Sequence, residues 1–142
     1  MNIFEETVIN YITHDKDMSY HGTLFVIPQY SVGDESEEAC PDFVGISTKF
    51  KKIVIVEVSM KSEPIHLVNK LTNQSYDLVK NVRNRLRTSG AITNDNDWDH
   101  EIWLFVRQDD VDWLKQRVRD QSAIKIHDLE KTYTMWKWNW NY

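Results

Sequence analysis

The stretch CPDFVGISTKFKKIVIVEVSMK, residues 40–61, sets one carboxylate at Asp42, directly after Pro41, and another at Glu57, inside a run of β-branched residues. An ionised side chain in the interior of a strand is costly unless something pairs with it. From Lys52 to Met60 the alternation reads as a strand. It puts Ile53, Ile55, Glu57 and Ser59 on one face and Val54, Val56, Val58 and Met60 on the other. Residues 42–47 read as its hairpin partner across a turn near STKFKK, with the Pro41 ring holding the entry extended. Hairpin strands run side by side, so Asp42 is brought close to Glu57. A divalent cation is the strongest partner available to two such acids. The alternative is a solvent-facing Glu57, or an ion pair with Lys49 or Lys61.

Outward from this hairpin, Phe4, Val8 and Ile12 recur every four residues, predicting an amphipathic helix over 3–13 with Glu5 and Glu6 in its first turn, where the helix dipole favours them. TLFVI at 23–27 is an apolar run of undecided type, and GDESEEACP reads as a loop. Pro64 opens a helix over 65–88 that Gly90 closes. EIWLFVR at 101–107 is a second strong strand, DDVDWLKQRVRD at 109–120 a helix, and AIKIHDL a further short strand. This order predicts an α/β fold, a mixed, twisted sheet flanked by helices. The chain has 142 residues, 41% of them hydrophobic, which suits a single domain over 1–142 with one sizeable core.

Composition narrows the classes. The lone Cys40 excludes an intramolecular disulfide and cannot by itself build a zinc site; it reads as a small core residue. No apolar run approaches the roughly 20 residues of a membrane span, and the N-terminus lacks the basic and cleavage signals of a secretory leader, so a soluble, intracellular protein is expected, with no membrane partner. The net charge is −5, unusual for a nucleic-acid protein, but lysines and arginines concentrate between Lys49 and Arg87 inside acidic flanks, DESEE at 34–38 and DNDWDHE at 95–101. Such a basic middle guides a phosphate backbone, or else KNVRNRLR is the solvated face of a helix.

The pattern Pro41-Asp42, a hairpin-length gap, then Glu57 in a hydrophobic strand resembles the PD-(D/E)xK nuclease superfamily. Ser59 stands where that superfamily usually has a lysine, two residues past the second acid. In this the chain is similar to the cap-snatching endonucleases at the N-terminus of the polymerase (L protein) of segmented negative-strand RNA viruses, of bunyavirus and arenavirus type. Several of those draw the lysine from the following helix, where Lys70 occupies a comparable place. The strand IVIVEVSMKS looks like theirs as well. His14-Asp15, after the first helix, resembles the His-Asp dipeptide of the bunyavirus-type enzymes, whose histidine ligates metal. Failing His14, Glu5 or Glu6 is the substitute, as an arenavirus-type upstream acid, and Glu35 or Glu37 is a candidate additional ligand.

The resemblance implies metal-dependent hydrolysis of single-stranded RNA. Asp42 would bridge one or two Mn²⁺ or Mg²⁺ ions, with His14, Glu57 and the Val58 carbonyl completing the shell. An imidazole among carboxylates shifts the preference toward manganese. Lys70 would stabilise developing charge, with Lys61 as runner-up, and Tyr76, Lys80 and Arg83 would hold the substrate strand. In the viral setting the substrate is capped host mRNA, the location is the host cytoplasm or the virion, and the chain is the N-terminal domain of a larger polymerase. Trp98, Trp103 and Trp113 read as core. Trp136, Trp138 and Trp140 alternate with polar residues like a one-sided strand that covers a sheet edge or contacts the rest of such a polymerase. Two rival readings are a stand-alone DNA nuclease of the same superfamily, from phage or bacteria, and a non-catalytic relative whose basic helix binds nucleic acid or protein.

Overall fold

Asn2 starts the chain's first helix by accepting a hydrogen bond from the Glu5 backbone N–H at 2.9 Å, while its own N–H donates to the Glu5 carboxylate at 3.1 Å. This reciprocal cap begins α1 (Ile3–His14). A computed structural model describes residues 2–28, 40–118 and 123–141, without the side chains of 73–77 and 95. The chain is a single-domain α/β fold. After α1 come β1 (Phe25–Pro28), β2 (Phe43–Ser47), β3 (Lys52–Ser59), α2 (Ile65–Thr88), β4 (Asp99–Val106), α3 (Val111–Arg117) and β5 (Ile124–Asp128). Two short 3₁₀ turns, Leu129–Tyr133 and Met135–Lys137, follow. TLFVI, undecided from its sequence, contributes Phe25 to Ile27 to β1.

The five strands lie in the order β1-β2-β3-β4-β5. The first three pair antiparallel, and β3-β4 and β4-β5 pair parallel, so the sheet is mixed. β3 and β4 are nearly continuous apolar runs because both of their faces are covered. On one face Val44, Ile53, Ile55, Ile102 and Leu104 pack against Leu67, Leu71, Val82 and Leu86 of α2 and Leu114 of α3. On the other, Phe43, Val54, Val56, Trp103 and Phe105 pack against Val8, Tyr11 and Ile12 of α1 and against Leu129 and Trp138.

Gly90, at φ +82°, ends α2 in the left-handed region. The Gly90 N–H donates to Arg87 O at 3.1 Å and the Ala91 N–H to Leu86 O at 2.9 Å, the pair of bonds of a Schellman cap. Among the described residues no helix is long and apolar enough to cross a membrane.

The C-terminal segment is not the one-sided strand its alternation predicts. Met135–Lys137 is a 3₁₀ turn, and a single bridge ties Trp140 to Asp15. Asp15 explains this: its buried carboxylate accepts from the backbone N–H groups of Met18 at 3.0 Å and Asn139 at 2.6 Å, pinning the tail across the end of α1. Trp138 is buried beside Tyr11, whereas Trp136 is 77% exposed. Trp98 and Trp103 are core, and half-buried Trp113 lies under the Arg117 guanidinium, 4.1 Å from the ring centre.

Candidate active site

The β2-β3 register places Phe43 opposite Val56, and one step further it sets Asp42 opposite Glu57, near the carboxyl end of a central strand. Both acids lie on the α2 side of the sheet, because Glu57 follows Ile53 and Ile55 in alternation and Asp42 precedes Val44. The Val58 backbone N–H donates to Asp42 Oδ2 at 2.7 Å, which fixes that carboxylate. Val58 thus reaches the site through its N–H, not only through the carbonyl that the resemblance assigns to metal.

Lys70, in the second turn of α2, donates to Glu57 Oε1 at 2.6 Å and to the Cys40 carbonyl at 3.3 Å. The pair is nearly sealed, with side-chain exposure of 12% for Lys70 and 6% for Glu57. Lys70 is thus the lysine in contact with Glu57, whereas Lys61, in the turn after β3, is exposed and is not on the Glu57 strand face. One ammonium does not neutralise the cluster. Burial, helped by the Asp42 charge and opposed by Lys70, pushes the Glu57 carboxyl up to about 8. Burial also raises Asp42, helped by the charge of Glu5 and opposed by the Val58 N–H. Burial is the larger cause of both shifts, and it makes the ionised form of either acid costly without a partner cation.

Glu5 therefore belongs to this neighbourhood, its carboxylate held at the start of α1 by the Asn2 cap. His14 does not. It stands nine residues further along α1, about 14 Å at 1.5 Å per residue. Its Nδ1 lies 2.9 Å from the Asn10 carbonyl and 3.1 Å from Thr13 Oγ1, and the ring faces Trp140 across 6.2 Å. The helix direction, which puts the N-terminal end of α1 beside Asp42, sends the His-Asp dipeptide away from the acids. Glu6 is exposed on α1, and Glu35 and Glu37 lie outside the described residues.

The expected substrate residues separate. Lys80 is exposed but about 15 Å along α2 from Lys70. Arg83 is tied into the fold, donating to Trp98 O at 2.7 Å beside His100 Nδ1 at 3.4 Å. The Tyr76 side chain lies outside the described residues. A residue that sequence reasoning missed stands nearer: His66, one turn before Lys70 on the same face of α2. Desolvation and the charges of Lys61 and Lys70 hold its imidazole below its usual range. The i, i+4 spacing with Lys70 was the available signal.

Among the described residues no group of three or more His, Cys, Asp and Glu side chains is gathered closely enough to hold a metal ion. The donors that do meet are carboxylate oxygens, the set a hard divalent cation takes one or two of, while keeping water and substrate oxygens in its remaining positions. Asp42 and Glu57 offer oxygens of this kind, with Lys70 as the cation that now partners Glu57. No family model, curated protein or solved structure matches the chain.

Proposed function

We propose that this chain is a divalent-metal-dependent endonuclease of PD-(D/E)xK type that cleaves single-stranded RNA. The observation that carries the reading is the pair of facing acids, half-buried Asp42 and buried Glu57, with Lys70 against Glu57 and both carboxyls raised by burial. Nothing in the packing of a hydrophobic strand calls for two apposed carboxylates, and perturbed, convergent titratable groups mark functional sites.

Asp42 and Glu57 would hold Mn²⁺ or Mg²⁺, with Glu5 as the upstream acid in place of His14. When bound, the ion supplies Lewis-acid polarisation of the phosphate and a more acidic water. The chain's own groups do the rest. The Val58 N–H orients Asp42. Lys70, held beside Glu57, would present its ammonium to the negative charge that develops on the phosphate during cleavage. His66, one helical turn before Lys70, would be the candidate to accept a proton from the attacking water. The cap-snatching setting and a polymerase partner belong to the same proposal and are its finest-grained part.

The test is the melting temperature of wild type and Glu57→Ala with and without about 1 mM Mn²⁺, together with cleavage of labelled single-stranded RNA and duplex DNA. A manganese-dependent rise and RNA cutting, both lost in the variant, support the proposal. Cutting of duplex DNA in preference would move it to the DNA-nuclease branch. No shift and no cutting would make Lys70-Glu57 a structural ion pair and end the enzyme reading.

A further inference from the structure

We infer that the groove between α1 and the C-terminal turns is a nucleobase-binding subsite for an unpaired strand, an inference that rests on the proposed nuclease reading for its choice of ligand. The groove has a volume of about 440 Å³ and is lined by Asn10, His14, Tyr133, Met135, Trp138 and Trp140, among others. Its walls are aromatic faces: His14 and Trp140 meet at 6.2 Å, and Trp138 and Trp140 at 5.2 Å. Flat aromatic walls around a cleft of this size suit a planar ring, and stacking of this kind accepts any base.

The polar groups are those a base edge needs. Asn10 is exposed in the groove wall, and its side-chain amide, two donors and an acceptor, makes no hydrogen bond among the described residues. His14 adds its imidazole edge to the same wall. Lys131 and Lys137 adjoin the lining residues Thr132 and Trp138 in the chain, with Lys131 over Tyr11 at 5.9 Å and Lys137 over Trp136 at 4.9 Å, and cations near a cleft favour a phosphodiester.

Position links this cleft to the acids. The Tyr133 hydroxyl donates to Met60 Sδ at 3.9 Å, and its ring is 6.4 Å from Phe4. Met60 lies three residues past Glu57, about 10 Å in extended chain, and Phe4 is the neighbour of Glu5. The acids and the groove occupy opposite faces of the sheet and converge at the carboxyl end of β3. A strand bent over that end, its cleavable phosphate at Asp42 and Glu57, would lay a base a few nucleotides along the strand into the groove.

The experiment measures binding of a labelled single-stranded RNA 8-mer and of its abasic counterpart by fluorescence anisotropy, in chelator, to the Glu57→Ala protein, which need not cut. The expected result is weaker binding of the abasic strand by roughly 5- to 100-fold, the range for one or two stacked bases. Adding Trp140→Ala should remove that preference. Asn10→Ala and His14→Ala, at exposed positions, should narrow it even where the tryptophan variant fails to fold. Equal binding of the two strands, no binding of either, or a preference that survives all three variants would overturn the inference and leave the groove a protein seam. Because the assay needs neither metal nor cleavage, base preference in a protein that never cuts would sink the nuclease reading alone.

Discussion

Asp42 and Glu57 face one another across the β2-β3 ladder, and the Lys70 ammonium sits 2.6 Å from Glu57 on the side that α2 covers. Like charges in apposition weaken a fold unless a proton or a cation intervenes, and the choice between the two depends on pH and metal.

Without metal, stability should fall as pH rises. The unfolded Glu57 ionises near 4.5, and the native one holds its proton to about 8. Between those values the native state binds the extra proton, so its advantage is complete below 4.5 and lost through about 8. Urea midpoints in chelator across pH 5–9 should decline in wild type, and Glu57→Gln should flatten this part of the curve. An unchanged slope in the variant would show that Glu57 is ionised in the fold.

Metal should reverse the trend, because the ion competes with the proton for the same oxygens. At a hundred times its dissociation constant Mn²⁺ should stabilise wild type by about 2.7 kcal/mol. Glu5→Gln should reduce the gain and Asp42→Asn abolish it, while His14→Ala should retain it. A gain lost with His14 and kept without Glu5, read by thermal shift, would restore the histidine to the metal.

Lys70→Met separates binding from chemistry. The metal-dependent shift should persist, whereas RNA cleavage should drop about 10²- to 10³-fold, the usual cost of removing one group that stabilises developing charge. Lys61→Met should change cleavage little. Single-turnover rates at saturating Mn²⁺ give the comparison.

Acid stability has a separate origin in His127. Its ring stacks on Phe105 at 4.9 Å, and burial, reinforced by Lys131 and Lys125 against the attraction of Glu101, lowers it to about 4. The unfolded imidazole takes a proton below about 6.5 and the native one does not, so stability should be lost as pH falls from 6.5 through 4. His127→Gln should reduce that acid-limb slope whatever its effect at pH 7. Titration of the denaturation midpoint from pH 7 to 4 measures it.

The hairpin, the helix from Pro64 to Gly90 and the strand containing Trp103 were legible in the sequence because local rules govern them: alternation on strands, a proline start and a left-handed glycine end. Asp42, Glu57 and Lys70 were legible for the same reason, since a short hairpin and the helix that follows leave few ways to arrange them. The tail was not. WKWNW alternates like a strand, yet the buried Asp15 carboxylate captures the Asn139 N–H and turns the segment against α1. Nor was the upstream acid, where two candidate positions lay at opposite ends of one helix. Periodicity shows which face of α1 is buried but not which way the helix runs over the sheet. Local pattern determined the elements and the acid pair; packing direction, a long-range property, decided that Glu5 and not His14 lies at the Asp42 end of α1, and that His14 faces an aromatic groove.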